Sequence, residues 1–219
     1  PVTASGAAFA WSASPLSLAL AVVSLLILPV VGLWLVSLRG MVLLPLGIAG
    51  VLLIVAYTSW ITRSPYACLV APGLGFGPLM VVGTHIAVAG RYDTAAGVAA
   101  LVPFFLVSAL LLLNQFPDVE ADREAGRRHL PIVWGRPRAA HVFVALYALA
   151  YLSLVAGVLA GALPWPCLLG LVTLTLAVPA ARDVLRHPDD VKALLPAMGR
   201  NVMVNLATPA FVAVGLFVG

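Results

Sequence analysis

The chain has 219 residues, of which 63% are hydrophobic and only 9% charged, and its mean hydropathy is +1.10. That composition excludes a water-soluble globular domain, where about a quarter of residues are charged. The net charge of +4 is then read as cationic loops of a polytopic membrane protein, and a nucleic-acid partner is not expected.

In chain order, the opening "PVTASGAAFAWSASPLSLAL" starts at Pro1 and has no basic region ahead of its apolar run, so it does not read as a signal peptide. A fragment or a processed start is expected. A membrane span needs about 20 apolar residues. Seven stretches qualify: 15–37, 41–60, 70–90, 94–115, 139–161, 163–181 and 201–218. They predict a single-domain, all-α bundle over 1–219, because spanning helices satisfy their own backbone groups in lipid. Pro29, Pro45, Pro78, Pro103, Pro179 and Pro209 fall inside spans and are expected to bend them, leaving a hollow bundle. Gly73 and Gly77 in "GLGFG" form a GxxxG pair, which is expected to serve close helix packing and not phosphate binding. Cys68 and Cys167 lie in apolar stretches without CxxC spacing and are expected to be packing residues.

The basic residues settle an expected orientation. If the loop after the fourth span is cytoplasmic, so are Arg63, Arg123, Arg127, Arg128, Arg136, Arg138, Arg182, Arg186, Lys192 and Arg200, leaving Arg39 and Arg91 outside. That distribution follows the positive-inside rule.

The fourth span runs into "NQFPDVEADREAGRRH", residues 114–129, with four acids and three arginines. If the helix continues past Pro117, Glu120 meets Arg123 at i+3, and Glu124 meets Arg127 and Arg128 at i+3 and i+4. Asn114, Asp118 and Asp122 share one stripe, turning about 40° per step, that carries no cation. The expected external neutraliser is Mg²⁺, a hard cation held by one or two carboxylates together with substrate phosphates. Arg123, Arg127 and Arg128 add planar donors suited to phosphate. The alternative is a solvated loop whose charges only set topology. Pro117 either kinks the helix or starts a new one, and Asp118 and Asp122 share a face in both cases.

Three segments carry a resemblance. "NQFPDVEADREAGRRHLPIVWG" resembles the second aspartate-rich motif of the UbiA superfamily of intramembrane prenyltransferases, in its N-x-x-x-D-x-x-x-D and G-R-R pattern. "APGLGFGPLMVVGTHIAVAGRY", 71–92, is similar to the branch that makes menaquinone precursors. "PVTASG", Pro1–Gly6, resembles the segment after that family's first aspartate-rich motif. The resemblance implies a nine-helix bundle around a cavity. There, Mg²⁺ on two facing aspartate-rich motifs binds the diphosphate of a polyprenyl donor, whose prenyl group passes to an aromatic acceptor. By position it implies Asn114, Asp118 and Asp122 as catalytic residues, with Asp118 and Asp122 on the metal, and Arg127 and Arg128, with Arg123 beside them, on diphosphate. The first motif and two preceding helices are missing from this chain, so the resemblance implies a truncated domain that is inactive alone.

The same resemblance makes Arg63 a diphosphate candidate and Tyr57 a cavity residue, against a topology charge and an interfacial anchor. Asn201 and Asn205, at i and i+4, are read as helix-bridging residues or as part of the prenyl and acceptor cavity. His85 stands alone in its span and is expected to be packed, and His129 beside Arg128 is a further phosphate candidate. "HPDDVKALLPAMGRN" reads as a short interfacial helix with an apolar stripe of Val191, Leu194, Leu195 and Met198.

The expected function is Mg²⁺-dependent transfer of a polyprenyl group to an aromatic acceptor resembling 1,4-dihydroxy-2-naphthoate, in a bacterial plasma membrane with the site facing the cytoplasm. The rivals are another membrane transferase acting on a diphosphate-linked substrate and a non-enzymatic carrier or assembly subunit. The paired-aspartate motif of CDP-alcohol phosphatidyltransferases is absent, and so is the internal repeat of a carrier.

Overall fold

A computed structural model describes residues 15–219, so the Pro1–Gly6 resemblance lies outside the described residues. The described chain is helical with no strand. It runs α1 (Pro15–Arg39), α2 (Leu43–Ser59), α3 (Pro65–Ala89) and α4 (Thr94–Asn114). Two short helices follow, α5 (Val119–Glu124) and α6 (Leu130–Trp134). The chain ends with α7 (Arg136–Leu159), α8 (Trp165–Arg186) and α9 (Val191–Val218). Six helices, all but α2, α5 and α6, are long and apolar enough to cross a bilayer, and α2 is a shorter apolar helix. Together with α2 they account for the seven expected spans.

Local chemistry marks the helix starts. Ser64 accepts from the Ala67 amide at 3.4 Å with Pro65 at the first helical position, and Asp93 accepts from the Ala95 amide at 2.8 Å. Asp190 accepts from the amides of Lys192 and Ala193 at 3.0 and 3.1 Å. From that cap α9 runs unbroken to Val218, with Pro196 and Pro209 inside it. The expected interfacial helix over 187–201 is therefore not a separate element. Its apolar stripe continues into the span, and Leu194 and Ala197 are buried in the bundle. Within α3, residues Gly75–Val82 are π-helical around Pro78, which has no amide proton to give the normal ladder.

The core forms around α4. Leu106, Ala109 and Leu113 are fully buried where α4 packs on α3, α7 and α9. The Gly73–Gly77 pair does what its spacing suggests. A Cβ at Gly73 would collide with the Phe104 carbonyl and the Ser108 hydroxyl, and one at Gly77 with the Ala100 carbonyl and Phe104. Polar bridges tie the other side together. The Tyr147 hydroxyl donates to Asn201 Oδ1 at 2.7 Å, joining α7 to α9. Thr173 of α8 pairs with Tyr151 at 2.8 Å and with Thr208 at 2.7 Å. The N-terminal flank differs. Among the described residues of the apolar window Val22–Arg39 none is buried, and α1 packs on α2 and the end of α3.

Candidate active site

The charged stretch does not continue α4 as a helix. After Asn114 the chain makes a turn through Gln115–Asp118 before α5 begins at Val119. Pro117 thus lies in a break, as in the second of the two alternatives open from the sequence, but the new helix starts at Val119 and not at Pro117. Phe116 and Val119 anchor this turn in the core, at 0% and 3% exposure. Arg136 holds it from behind, its Nε donating to the Phe116 carbonyl at 2.9 Å. With two apolar anchors tucked in, Asp118, Glu120 and Glu124 are exposed, while Asp122 is held closer in.

Just past the short α5 stands Gly126, whose φ of +76° is a backbone region that favours glycine. The Arg127 amide bonds the Asp122 carbonyl at 2.9 Å and the Gly126 amide bonds the Arg123 carbonyl at 3.0 Å, a Schellman closure. The chain therefore doubles back on α5. Arg127 Nη1 meets Asp122 Oδ1 at 2.9 Å, and His129 Nε2 meets Asp122 Oδ2 at 3.0 Å. Next, the Arg128 amide bonds the Thr62 carbonyl at 2.9 Å, stitching the loop to the short 3₁₀ turn Ile61–Arg63 after α2. That stitch brings Arg63 and Tyr57 to the same place as the motif.

The result is a cavity of about 410 Å³ lined by Asn114, Asp118 and Asp122 together with Tyr57, Arg63, Arg127, His129, Thr62, Cys68, Leu111, Gln115, Ala125 and Gly126. The three stripe residues thus line one cavity although the helix that was to align them is broken. Two expectations are corrected. The Asp122 carboxylate is not without a cation, because the turn at Gly126 delivers Arg127 from five residues ahead. For the same reason Arg127 pairs with Asp122 and not with Glu124. The Glu120–Arg123 pair is present at 2.6 Å, exposed, and off the cavity wall. Arg128 is exposed and also off the wall. The Asp118 carboxylate has no hydrogen bond or ion pair among the described residues.

Other residues fall differently from their sequence reading. Cys68, expected to be packing, lines the cavity, accepts from Gln115 Nε2 at 3.3 Å and touches Tyr57. Cys167 is buried in the core as expected. Asn201 and Asn205 are not on the cavity wall. Asn201 is fully buried under Tyr147, and Asn205 donates back to the Asn201 carbonyl at 3.0 Å. His85 has its Nε2 buried without a hydrogen-bond partner among the described residues and does not line the cavity. His129 faces Asp122, and burial pushes its imidazole below the ordinary value while Asp122 pulls it partly back. Gln115 and Thr62 escaped the sequence reading, and Cys68 was read only as packing, because none of the three belongs to a charge or ligand pattern.

For a divalent cation the wall offers Asp118, which is open, and Asp122, whose Oδ1 is held by an exchangeable exposed arginine. No group of three or more His, Cys, Asp or Glu side chains gathers into a metal cage among the described residues. This donor set fits Mg²⁺, which takes one or two carboxylates and completes its shell with water and phosphate oxygens. Arg63 and Arg127 add guanidinium groups on the same wall, and the planar fork of that side chain suits phosphate in general.

The pattern of the UbiA prenyltransferase family matches residues 13–203. The chain is 32% identical over 123 residues to a 1,4-dihydroxy-2-naphthoate octaprenyltransferase of Mycobacterium tuberculosis, covering 56% of this chain and 41% of that protein. It is 27% identical over 183 residues to a protein of the same description from Haemophilus influenzae, covering 80% and 57%. A digeranylgeranylglyceryl phosphate synthase of Thermococcus onnurineus is 41% identical over 63 residues, covering 29% and 22%. The chain thus spans about half the length of the curated relatives it matches. No solved structure gives a significant match.

Proposed function

The chain belongs to the UbiA prenyltransferase family, and from that premise we propose that the whole protein transfers a polyprenyl group from a polyprenyl diphosphate to an aromatic acceptor. A match over 80% of this chain is to a 1,4-dihydroxy-2-naphthoate octaprenyltransferase, which favours a 1,4-dihydroxy-2-naphthoate-like acceptor. The single observation that carries the reading is the cavity wall, where Asn114, Asp118 and Asp122 face the same space as Arg63 and Arg127.

The reaction breaks the bond between the allylic carbon and the bridging diphosphate oxygen. The diphosphate leaves with the electron pair, an acceptor ring carbon bonds the allylic carbon, and a ring substituent leaves as a cation or a neutral fragment. Negative charge grows on the leaving group, so groups already aimed there stabilise the transition state more than the ground state. Arg63 and Arg127 supply such donors, and Asn114 supplies an uncharged one. Asp118 and Asp122 would hold Mg²⁺, which when bound neutralises charge on the leaving diphosphate. Tyr57 and Leu111 set the less polar side of the wall. With ten of the 12 basic residues on one side, the site would open to the cytoplasm of a bacterial plasma membrane.

The test uses the full-length protein in detergent with labelled polyprenyl diphosphate, 1,4-dihydroxy-2-naphthoate and glycerol-phosphate acceptors, with Mg²⁺ and with chelator. A prenylated naphthoate product that chelation abolishes is expected. Product only on the glycerol-phosphate acceptor would replace the aromatic reading, and turnover in chelator would remove the metal from it.

A further inference from the structure

The two oxygens of Asp122 have unlike partners. Oδ1 faces Arg127, a cation whose side chain is 53% exposed, while Oδ2 faces His129, whose side chain is 2% exposed. An exposed ion pair holds weakly and exchanges readily for another cation. His129 has no such freedom. Its carbonyl accepts from the Ile132 and Val133 amides at 3.0 and 3.2 Å, and the preceding residue is tied to Thr62. The His129 Nδ1 is also buried with no hydrogen-bond partner among the described residues. Placing a proton there would bury an unsatisfied donor, so the hydrogen-bond network assigns the Nε2–H tautomer, donating to Asp122. Oδ2 therefore receives a neutral donor, which orients the carboxylate without cancelling its charge. Arg127 does the opposite, occupying Oδ1 with a charge that an arriving cation can displace.

We propose that His129 is a positioning residue that fixes Asp122 through Oδ2 and presents Oδ1 to the divalent cation of a metal–diphosphate complex. The inference rests on the functional reading above. It follows the general behaviour of metal-ligating carboxylates, whose outer hydrogen-bond partners set their direction and whose loss costs about 10–100-fold in metal affinity. When the cation takes Oδ1, Arg127 is released toward the diphosphate, so the exchange moves one cation off the acid and onto the anion.

The experiment compares H129Q and H129N in the full-length protein, titrated with Mg²⁺ in the presence of inorganic pyrophosphate and read by calorimetry. The glutamine amide nitrogen reaches about as far as imidazole Nε2, whereas the asparagine amide stops near Nδ1. Both variants are polar and similar in bulk, and their unfolding temperatures without ligand are measured alongside. The expected result is that H129N loses about 10–100-fold in Mg²⁺ affinity, that H129Q stays close to the wild type, and that the two unliganded proteins melt together. Equal loss in both variants would show a packing role and overturn the proposal, as would wild-type affinity in H129N. A wild-type protein that binds no Mg²⁺–pyrophosphate would instead overturn the metal reading itself, and this inference with it.

Discussion

Two polar regions interrupt this apolar chain, and they are built on opposite plans. In the interior, Tyr147, Tyr151, Thr173, Asn201 and Thr208 tie α7, α8 and α9 together through buried contacts of 2.7–2.8 Å. At the end of α4, Asp118 has no hydrogen bond or ion pair among the described residues, Arg63 and Arg127 are exposed, and the groups face a cavity of about 410 Å³. Polar groups in a membrane bundle are costly unless they are paired or face a wet cavity. The interior group meets that condition by pairing across helices at every named residue, with only the Nδ2 of Asn201 left unpartnered among these side chains. The terminal group meets it by facing a cavity, and its spare donors and acceptors are what a ligand can use. Asn201 and Asp118 would look alike on a hydropathy trace, yet only Asp118 opens its unused capacity to a cavity, whereas the unpartnered Nδ2 of Asn201 is sealed in the core.

The comparison can be broken most sharply at the acids. In the full-length protein, Asp118→Asn and Asp122→Asn are each expected to cut turnover by about 10²–10³ or more, the usual scale for losing a preorganised electrostatic contribution. Folding should survive, since neither side chain is in the core. Initial rates with labelled polyprenyl diphosphate check this, and near-wild-type rates in both variants would place the chemistry elsewhere.

Next comes Tyr147→Phe in the interior. It removes the hydroxyl donor to Asn201 Oδ1, which keeps a second donor, Asn205 Nδ2, at 3.2 Å. A loss of about 0.6–1.7 kcal/mol in unfolding free energy is expected, the range for polar pairs between membrane helices, with kcat/KM little changed. A large kinetic defect with unchanged stability would move Tyr147 and Asn201 from the structural region to the functional one.

The smallest effect belongs to Glu120→Gln. Its partner Arg123 lies 2.6 Å away, but both side chains are more than half exposed, so the pair is worth under about 0.5 kcal/mol. Turnover and melting should match the wild type. Damage comparable to Asp122→Asn would mean that charge anywhere on α5 matters, and the contrast between wall and surface would collapse.

Much of this was readable from the residues. The apolar runs located the helices, because a backbone in lipid has few other ways to satisfy itself. Gly73 and Gly77 announced a close helix contact, and Asn114, Asp118 and Asp122 announced a shared face. Less was readable where a break in the chain changes the neighbours. A helix-only reading paired Arg127 with Glu124 and left Asp122 bare, since helical reach ends at i+4. The turn at Gly126 carries the chain outside that rule.

By itself, then, the sequence determined the kind of molecule and which residues are chemically competent, since hydropathy and residue type act locally and survive any arrangement of the helices. Only the tertiary structure decided which competent residues share a wall. Arg63 and Tyr57 reach the motif because the Arg128 amide bonds the Thr62 carbonyl 66 residues back in the chain. Asn201 leaves it because Tyr147, from another helix, claims its oxygen. Both outcomes depend on pairings between distant segments, and such pairings are fixed by how helices pack and where they break, which no local pattern encodes.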